Sequence, residues 1–324
     1  MNVLITGGSG FLGSHLTRRM VADGHQVRIL SRRPPPAPAE HSNVEWILGD
    51  VVDPKGVERA VRGSEYVVHA AARANSMASS RETTLVMQVN VEGTKNLARA
   101  CRKHGIRRLV HVSSVLAVGI PSDPRFPADE SFSFNLENSG LTYHLSKRRA
   151  EEAVMAGVVR GLDAVIVNPA RLWGPSADGY RGAEMLKPIR RSHVVPHFTG
   201  GGCMVHVEDV VGGILAALDR GETGQRYILG GENLSFREML GKTASRMGLE
   251  RRFVAIPRLM TGLAAAVFEP WGWLRKRQPR ISLVTYRCAH LSQFYDSSKA
   301  RRTLGYVSRD FDAILNECLT LGAC

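Results

Sequence analysis

Paired cysteines, acidic charge, aromatics and long apolar runs are all scarce in this chain. The five cysteines, Cys101, Cys203, Cys288, Cys318 and Cys324, show no CxxC or other paired spacing. That argues against a disulfide framework or a cysteine zinc site and fits a reducing compartment. No basic segment with a cleavage site opens the chain. "MNVLITGG" goes straight into a strand-like apolar stretch, so no signal peptide is expected and a cytoplasmic location is. No stretch reaches the ~18 uncharged apolar residues that a bilayer span needs. The nearest is "LMTGLAAAVF" (Leu259 to Phe268), closed by Glu269 and Pro270 and followed by Trp271, Trp273 and the basic run Arg275 to Arg277. Lacking a clear polar face, it reads first as a helix capping a greasy pocket, with peripheral membrane contact through 259–277 as the alternative.

Acids are outnumbered: 30 Asp and Glu against 43 Lys and Arg give a net charge of +13. The excess is spread over all segments and is strongest from Arg275 to Arg302. It comes without an aromatic stacking platform or a helix-turn-helix signal, so nucleic acid is not an expected partner. With 324 residues, 44% of them hydrophobic, the chain can bury a sizeable core, which excludes disorder. "RRPPPAPAEHS" (Arg32 to Ser42) is the only biased run and reads as a loop; no internal repeat is seen.

Strand-like and helix-like periods alternate through the first half. Strands are predicted at Asn2–Thr6, Gln26–Leu30, Val44–Leu48, Tyr66–Ala70, Arg108–Ser113 and Ala164–Asn168. Helices are predicted at Phe11–Asp23, Pro54–Val61, Thr83–His104 and Thr142–Arg160. This is the pattern of an α/β fold with a doubly wound parallel sheet, whose ligands lie beyond the carboxyl ends of the strands. After about residue 170 the alternation fails, and "RLWGPSADGYRGAEMLKP" and "RSHVVPHFTGGG" read as irregular structure around a pocket. A helix at Glu208–Arg220 and a strand at Arg226–Leu229 return to the main domain. The division expected is a nucleotide-binding domain over 1–170, with 205–230 returning to it. A smaller, interleaved C-terminal substrate lobe takes mainly 171–204 and 231–324.

Chemistry concentrates at four strand ends. Gly7, Gly10 and Gly13 fall on the first strand-to-helix turn, where residues without side chains let backbone N–H groups and a helix N-terminus approach a pyrophosphate. After the second strand "RILSRRP" has Ser31, Arg32 and Arg33 where an acid would hold a ribose 2′-hydroxyl. A guanidinium there suits a 2′-phosphate, so NADP is favoured over NAD, with Arg32 as the main contact. "GDVVD" offers Asp50 to the adenine, with Asp53 as a helix N-cap. The fifth strand delivers Ser113 and Ser114 to the sheet edge. Some thirty residues on, "YHLSK" places Tyr143 and Lys147 on one helix face at i, i+4, where a lysine ammonium would favour the phenolate a proton-transferring Tyr needs. A second such pattern, "YDSSK" at 295–299, follows the substrate lobe without comparable partners and reads as accidental. Asn90, in "QVNVEGTKNL", could close a relay to Lys147 through water.

Through "TGGSGFLG", "HAAARA" (His69 to Ala74), "VNVEGTKNL", "VSSVLAVG", "YHLSK", "NPARLWGP" (Asn168 to Pro175), "VHVEDV" and "SSKARRTLGY", the chain resembles an extended short-chain dehydrogenase/reductase. These motifs cover nearly the whole chain in the family's order. The resemblance implies a Rossmann domain, a C-terminal substrate lobe and a Ser-Tyr-Lys triad falling on Ser114, Tyr143 and Lys147. Within the family the chain is most similar to the dihydroflavonol reductase and 3β-hydroxysteroid dehydrogenase branch, through "GGGCMVHVEDV", "GQRYILGGENLSFREML" and "IPRLMTGLAAAVFEPWGWL". Sugar-nucleotide dehydratases of the family carry an acid beside the catalytic hydroxyl residue, where this chain has Val115. Its epimerases commonly read VYG where it has Val118 and Gly119.

The expected cofactor-binding set is Gly7, Gly10, Phe11, Leu12, Gly13, Arg32, Asp50, Val51, Ala70, Ala71, Ala72, Lys147 and Pro169; the catalytic set is Ser114, Tyr143, Lys147 and Asn90. His193, His197, Cys203 and His206 suggest zinc, but Pro196 keeps the first two off a regular helix face, so a loop near the substrate is expected and no metal. Trp173, Phe198, Phe268, Trp271 and Trp273 line an apolar pocket or lie in the core; Asp129 and Glu130 read as solvated turn residues. The expected activity is hydride transfer between a nicotinamide and a carbonyl or secondary alcohol of an apolar, cyclic or long-chain substrate. The alternatives are an NAD-dependent sugar-nucleotide epimerase, with Arg181, Arg190 and Arg191 on a diphosphate, and a non-catalytic nucleotide-binding scaffold. The resemblance also implies a homodimer through the helix carrying Tyr143.

Overall fold

The structure is a computed structural model that describes residues 1–34, 43–74, 80–274 and 283–322. The biased run beyond Pro34, the basic run Arg275 to Arg277 and the side chains of Trp271 and Trp273 lie outside what it describes. The first half lays down β1 (Asn2–Thr6), β2 (Gln26–Ser31), β3 (Val44–Leu48), β4 (Tyr66–His69), β5 (Arg108–Val112) and β6 (Ala164–Pro169). Between them run α1 (Phe11–Ala22), α2 (Pro54–Val61), α3 (Ser80–Met87), α4 (Gly93–Lys103) and α5 (Thr142–Val158). In β1, Val3 and Ile5 face one core and Leu4 the other, all fully buried. Residues alternate sides along a strand, so this burial means that helices cover both faces of the sheet. Asp53 caps α2, its carboxylate accepting from Lys55 N and Gly56 N at 3.1 and 3.0 Å.

One expected helix is three pieces. Thr83–His104 is interrupted between α3 and α4 by a π turn, Gln88–Glu92, which carries Asn90. Wide turns of this kind re-aim side chains, and here the turn brings the Asn90 carboxamide onto the Arg73 backbone and Ser146.

The second half is more regular than its composition predicts. Residues 171–204 contain β7 (Arg171–Ser176), β8 (Gly179–Arg181), α6 (Lys187–Arg191) and β9 (Val194–His197), and β10 (Gly201–His206) follows. After α7 (Val207–Arg220) come β11 (Arg226–Leu229), β12 (Glu232–Ser235), α8 (Phe236–Arg246), β13 (Arg252–Ala255), α9 (Arg258–Leu274), α10 (Leu283–Cys288), β14 (Ser292–Gln293), α11 (Ser298–Leu304) and α12 (Phe311–Thr320). The glycines that make this stretch look irregular are sites of close approach. A Cβ on Gly182 would lie 2.4 Å from the Trp173 ring, and one on Gly201 would lie 2.5 Å from Leu234 O.

The main sheet has the order β11-β6-β5-β4-β1-β2-β3, every neighbouring pair parallel. Chain order reverses between β1 and β4, the place where an open α/β sheet leaves a crevice. A second sheet runs β12-β10-β7-β8, with β14 on β10, and β9 pairs with β13. Its core is Trp173, Met204, Leu234 and Met239 against Phe311 and Ile314 of α12. Trp173 is fully buried, edge-on to Phe311 at 5.1 Å, so it belongs to the core and not to a pocket wall. Cys101, Cys203 and Cys288 are free thiols, while Cys318 is disulfide-bonded, a single bond that linear spacing does not suggest. Bonding depends on which thiols meet in space, and linear spacing carries little of that.

Candidate active site

The crevice between β1 and β4 opens into a cleft of about 350 Å³. Of the expected cofactor residues, Gly7, Gly10, Arg32, Asp50, Val51, Ala70, Ala71 and Ala72 line it together. Phe11, Leu12 and Gly13 stand behind it on the first turn of α1. Pro169 is buried at the end of β6, on the far side of β4 and β5. Ser9, Leu30, Ser31, Arg33, Gly49 and Val89 also line the cleft; all but Val89 sit on the same strand-end loops, which was the available signal.

The glycines are there because nothing larger fits. Gly7 has φ +77°, and a Cβ on it would sit 2.6 Å from Ala71 N; one on Gly13 would sit 2.0 Å from Gly7 O. Helix α1 starts at Gly10 with no side-chain cap, leaving first-turn N–H groups open toward the cleft. A shape that holds bare backbone against the cleft fits a dinucleotide pyrophosphate. The floor is braced by His69, whose ring bridges Thr6 Oγ1 at 2.6 Å and Thr94 Oγ1 at 3.0 Å; full burial brings its pKa down to about 3, so it is neutral.

Beyond β5 the chain turns at Ser113 and Ser114. Ser113 Oγ is buried without a hydrogen-bond partner among the described residues. Ser114 is part-exposed, and its Oγ accepts from Leu116 N at 3.2 Å, which leaves its O–H free to donate. Asn168 fixes this loop: Nδ2 donates to Ser114 O at 2.9 Å and to Glu151 Oε1 at 2.6 Å. Tyr143, Lys147 and Glu151 follow one another at i, i+4, i+8 along one face of α5.

Lys147 is buried, and its Nζ donates to Val112 O at 2.8 Å. Burial pulls its pKa down from 10.5 to about 8, opposed by the Glu151 carboxylate. Glu151 also accepts from Arg226 Nη1 at 3.1 Å. Burial pushes the Tyr143 phenol up to about 12, and the cation that opposes this is Arg181, stacked over the Phe11 ring at 4.9 Å. Lys147 directs its ammonium at the Val112 carbonyl, and Arg181 is the cation that lowers the pKa of the Tyr143 phenol here. Asn90 makes no direct link to Lys147. Its Oδ1 accepts from Arg73 N, its Nδ2 donates to Arg73 O and Ser146 Oγ, and its backbone carbonyl takes the Thr94 hydroxyl.

Tyr295 of the second pattern is buried with its O–H donated to Gly119 O at 2.8 Å, and Lys299 bonds Gln225, so both have packing duties. Glu130 is no solvated turn residue: its carboxylate accepts from Ile228 N at 2.7 Å and burial raises its pKa. Of the residues that suggest zinc, His197 lies in β9 and Cys203 and His206 in β10, while His193 lies in the bend before β9. His206 caps α7 and stands 2.6 Å from Glu317, Cys203 is buried in β10, and His197 Nδ1 lies 2.8 Å from Phe198 O.

Arg171, Pro196, Phe198, Phe236, Met239 and Leu240 help to line a second cavity, of about 490 Å³ and largely apolar, in the C-terminal lobe. Among the described residues, Phe268 and the other apolar side chains of α9 do not border it. Leu259, Met260, Leu263, Val267 and Phe268 are 47 to 75% exposed. Hence the described part of α9 is not the pocket cap that its composition suggests.

The model of the NAD dependent epimerase/dehydratase family matches residues 3–230. The chain belongs to that family. Sterol demethylase protein B of Methylococcus capsulatus is 34% identical over 95% of this chain and 94% of its own. A putative dihydroflavonol 4-reductase of Synechocystis is 32% identical (93% and 88%), and a 3-beta-hydroxysteroid dehydrogenase of Mycolicibacterium neoaurum is 29% identical (94% and 86%). The crystal structure of gox2253 superposes with a TM-score of 0.79 at 30% identity over 99% of this chain and 97% of that one. The UDP-glucose 4-epimerase of Thermotoga maritima shares the fold, with a TM-score of 0.77 at 21% identity and coverages of 99% and 98%. This family member is thus an oxidoreductase of the extended short-chain dehydrogenase/reductase type, akin to the dihydroflavonol reductase and 3β-hydroxysteroid dehydrogenase branch.

Proposed function

We propose that this enzyme is an NADP-linked reductase or dehydrogenase that interconverts a carbonyl and a secondary alcohol on an apolar substrate. The observation that carries this reading is the apolar wall of the lobe cavity. The diphosphate of a sugar nucleotide carries more than one charge; Arg181, Arg190 and Arg191 are exposed and do not line that cavity, where Arg171 is the one Lys or Arg among the described lining residues.

Gly7, Gly10 and the open first turn of α1 would hold the dinucleotide pyrophosphate, Arg32 the 2′-phosphate and Asp50 the adenine end. The bound nicotinamide supplies the site that gives or takes hydride. The chain's own residues do the rest. Ser114 donates its free O–H to the substrate oxygen and orients it. Tyr143 gives that oxygen its proton in reduction and takes it back in oxidation. With the phenol held near 12, the proton stays on Tyr143 until negative charge develops on the substrate oxygen, and Arg181 steadies the phenolate left behind. Lys147 keeps a positive charge buried under the site and, on the resemblance, holds the nicotinamide ribose. Asn90 supports α5 through Ser146.

Tyr143→Phe should lower turnover by about a hundredfold to ten-thousandfold, the usual range for a lost general acid, while NADPH affinity measured by fluorescence titration stays unchanged. Unaltered turnover would remove Tyr143 from this role. Stoichiometric NAD released on denaturing the purified protein would instead support the epimerase reading, in which the cofactor is never exchanged.

A further inference from the structure

Arg171 begins β7 and lines the apolar cavity, yet it has no hydrogen bond or ion pair among the described residues. Its side chain is exposed to solvent and borders the cavity. The titratable groups near its guanidinium are the Cys288 thiol and the Tyr295 phenol. Burial raises the pKa of both, so neither carries negative charge at neutral pH. Without a protein anion, the guanidinium keeps its paired donors open to a ligand.

The position is also suitable. Arg171 stands three residues after Asn168, which bonds the Ser114 carbonyl, and beside Tyr295, whose hydroxyl bonds Gly119 at the end of the same loop. Two neighbours of Arg171 are thus bonded to the loop that presents Ser114. Met185, Pro188, Pro196, Phe198, Phe236 and Leu240 supply apolar wall in the cavity that Arg171 lines. A guanidinium presents paired donors that match a carboxylate bidentately.

We propose that Arg171 is an anion anchor in the substrate cavity, so that the substrate is an apolar molecule bearing a carboxylate. The identification of this cavity as the substrate's rests on the reductase reading above; the anion site itself does not.

The test titrates the full-length protein with sodium decanoate and with decanol, a neutral probe of equal chain length, by calorimetry at neutral pH. Decanoate should bind at least tenfold more tightly than decanol. Arg171→Met and the polar neutral Arg171→Gln should weaken decanoate by about tenfold to a hundredfold, the range expected for a hydrogen bond to a charged group, and leave decanol unchanged. Arg171→Lys should keep part of the preference. Undiminished NADPH affinity identifies the variants that have folded. Decanoate binding no tighter than decanol, or binding that is equal in Arg171→Gln and the wild type, overturns the anchor. The two readings fail separately. Decanoate bound through Arg171 by a protein that reduces no carbonyl sinks the reductase reading alone. Reduction of neutral and carboxylated ketones with equal efficiency, unaffected by Arg171→Gln, sinks the anchor alone.

Discussion

Arg32 shows what one residue at a strand end can decide. It lines the cleft with Arg33 and Ser31, in the place where an acid would take a ribose 2′-hydroxyl, and a carboxylate there would repel a 2′-phosphate. Ser31 Oγ already accepts from Arg33 N at 3.2 Å, which shapes the turn, while Arg32 has no hydrogen-bond partner among the described residues. Arg32→Ala should weaken NADPH by about tenfold or more, as removal of a charge-assisted hydrogen bond does, and leave NADH unchanged within twofold. Fluorescence titration reads both, and equal weakening of the two nucleotides would show that Arg32 does not read the phosphate. Residues of this kind are legible because their meaning lies in sequence position: the glycines, Arg32 and Asp50 each follow a recognisable strand. Glu151, Arg171 and Arg181 are not legible as site residues in these roles. Their importance comes from what encloses them or fails to pair with them, and no local pattern records that. Tyr143 itself is found by spacing, yet the cation set against it is not, because a four-residue separation fixes a helix face and not where a flexible lysine directs its charge.

At the scale of elements, the first half is readable because each strand is an unbroken apolar run and each helix has an amphipathic period. Both are local consequences of a parallel sheet buried on two faces. The second half hides its strands. β7 is held by β10 some thirty residues away, and the glycines between them are present for tight packing. The π turn at Asn90 is invisible for a related reason: its cause is a set of hydrogen bonds to Arg73 and Ser146, not a residue preference. The joint between β1 and α1 is the one on which the cofactor depends most. Gly13 there packs so closely on the Gly7 carbonyl that a methyl group would lie 2.0 Å from it. Gly13→Ala should cost about 1–3 kcal/mol by overpacking, read as a lower denaturant midpoint, and should weaken NADPH by tilting the first turn of α1. An alanine variant with wild-type stability and affinity would mean that this joint has slack the close approach does not suggest.

For the whole molecule, charge and apolar surface point the same way. No described helix is long and apolar enough to cross a membrane. Even so, α9 turns Leu259, Met260, Leu263 and Val267 outward, each at least 60% exposed, on a chain of net charge +13. An exposed apolar helix face on a basic protein suits the headgroup boundary of an anionic bilayer, where apolar burial and charge attraction add. We therefore expect the protein to sediment with vesicles containing phosphatidylserine, more weakly with neutral vesicles, and less as salt rises, because the Debye length shrinks to about 3 Å at 1 M. Leu259→Glu with Leu263→Glu should abolish sedimentation while NADPH affinity stays at its wild-type value, since neither residue borders the cofactor cleft. Failure to sediment with any vesicle, together with a mass in light scattering that halves in the double variant, would assign the face to a second copy of the chain. That outcome would leave the membrane with no part in how an apolar substrate reaches the cavity.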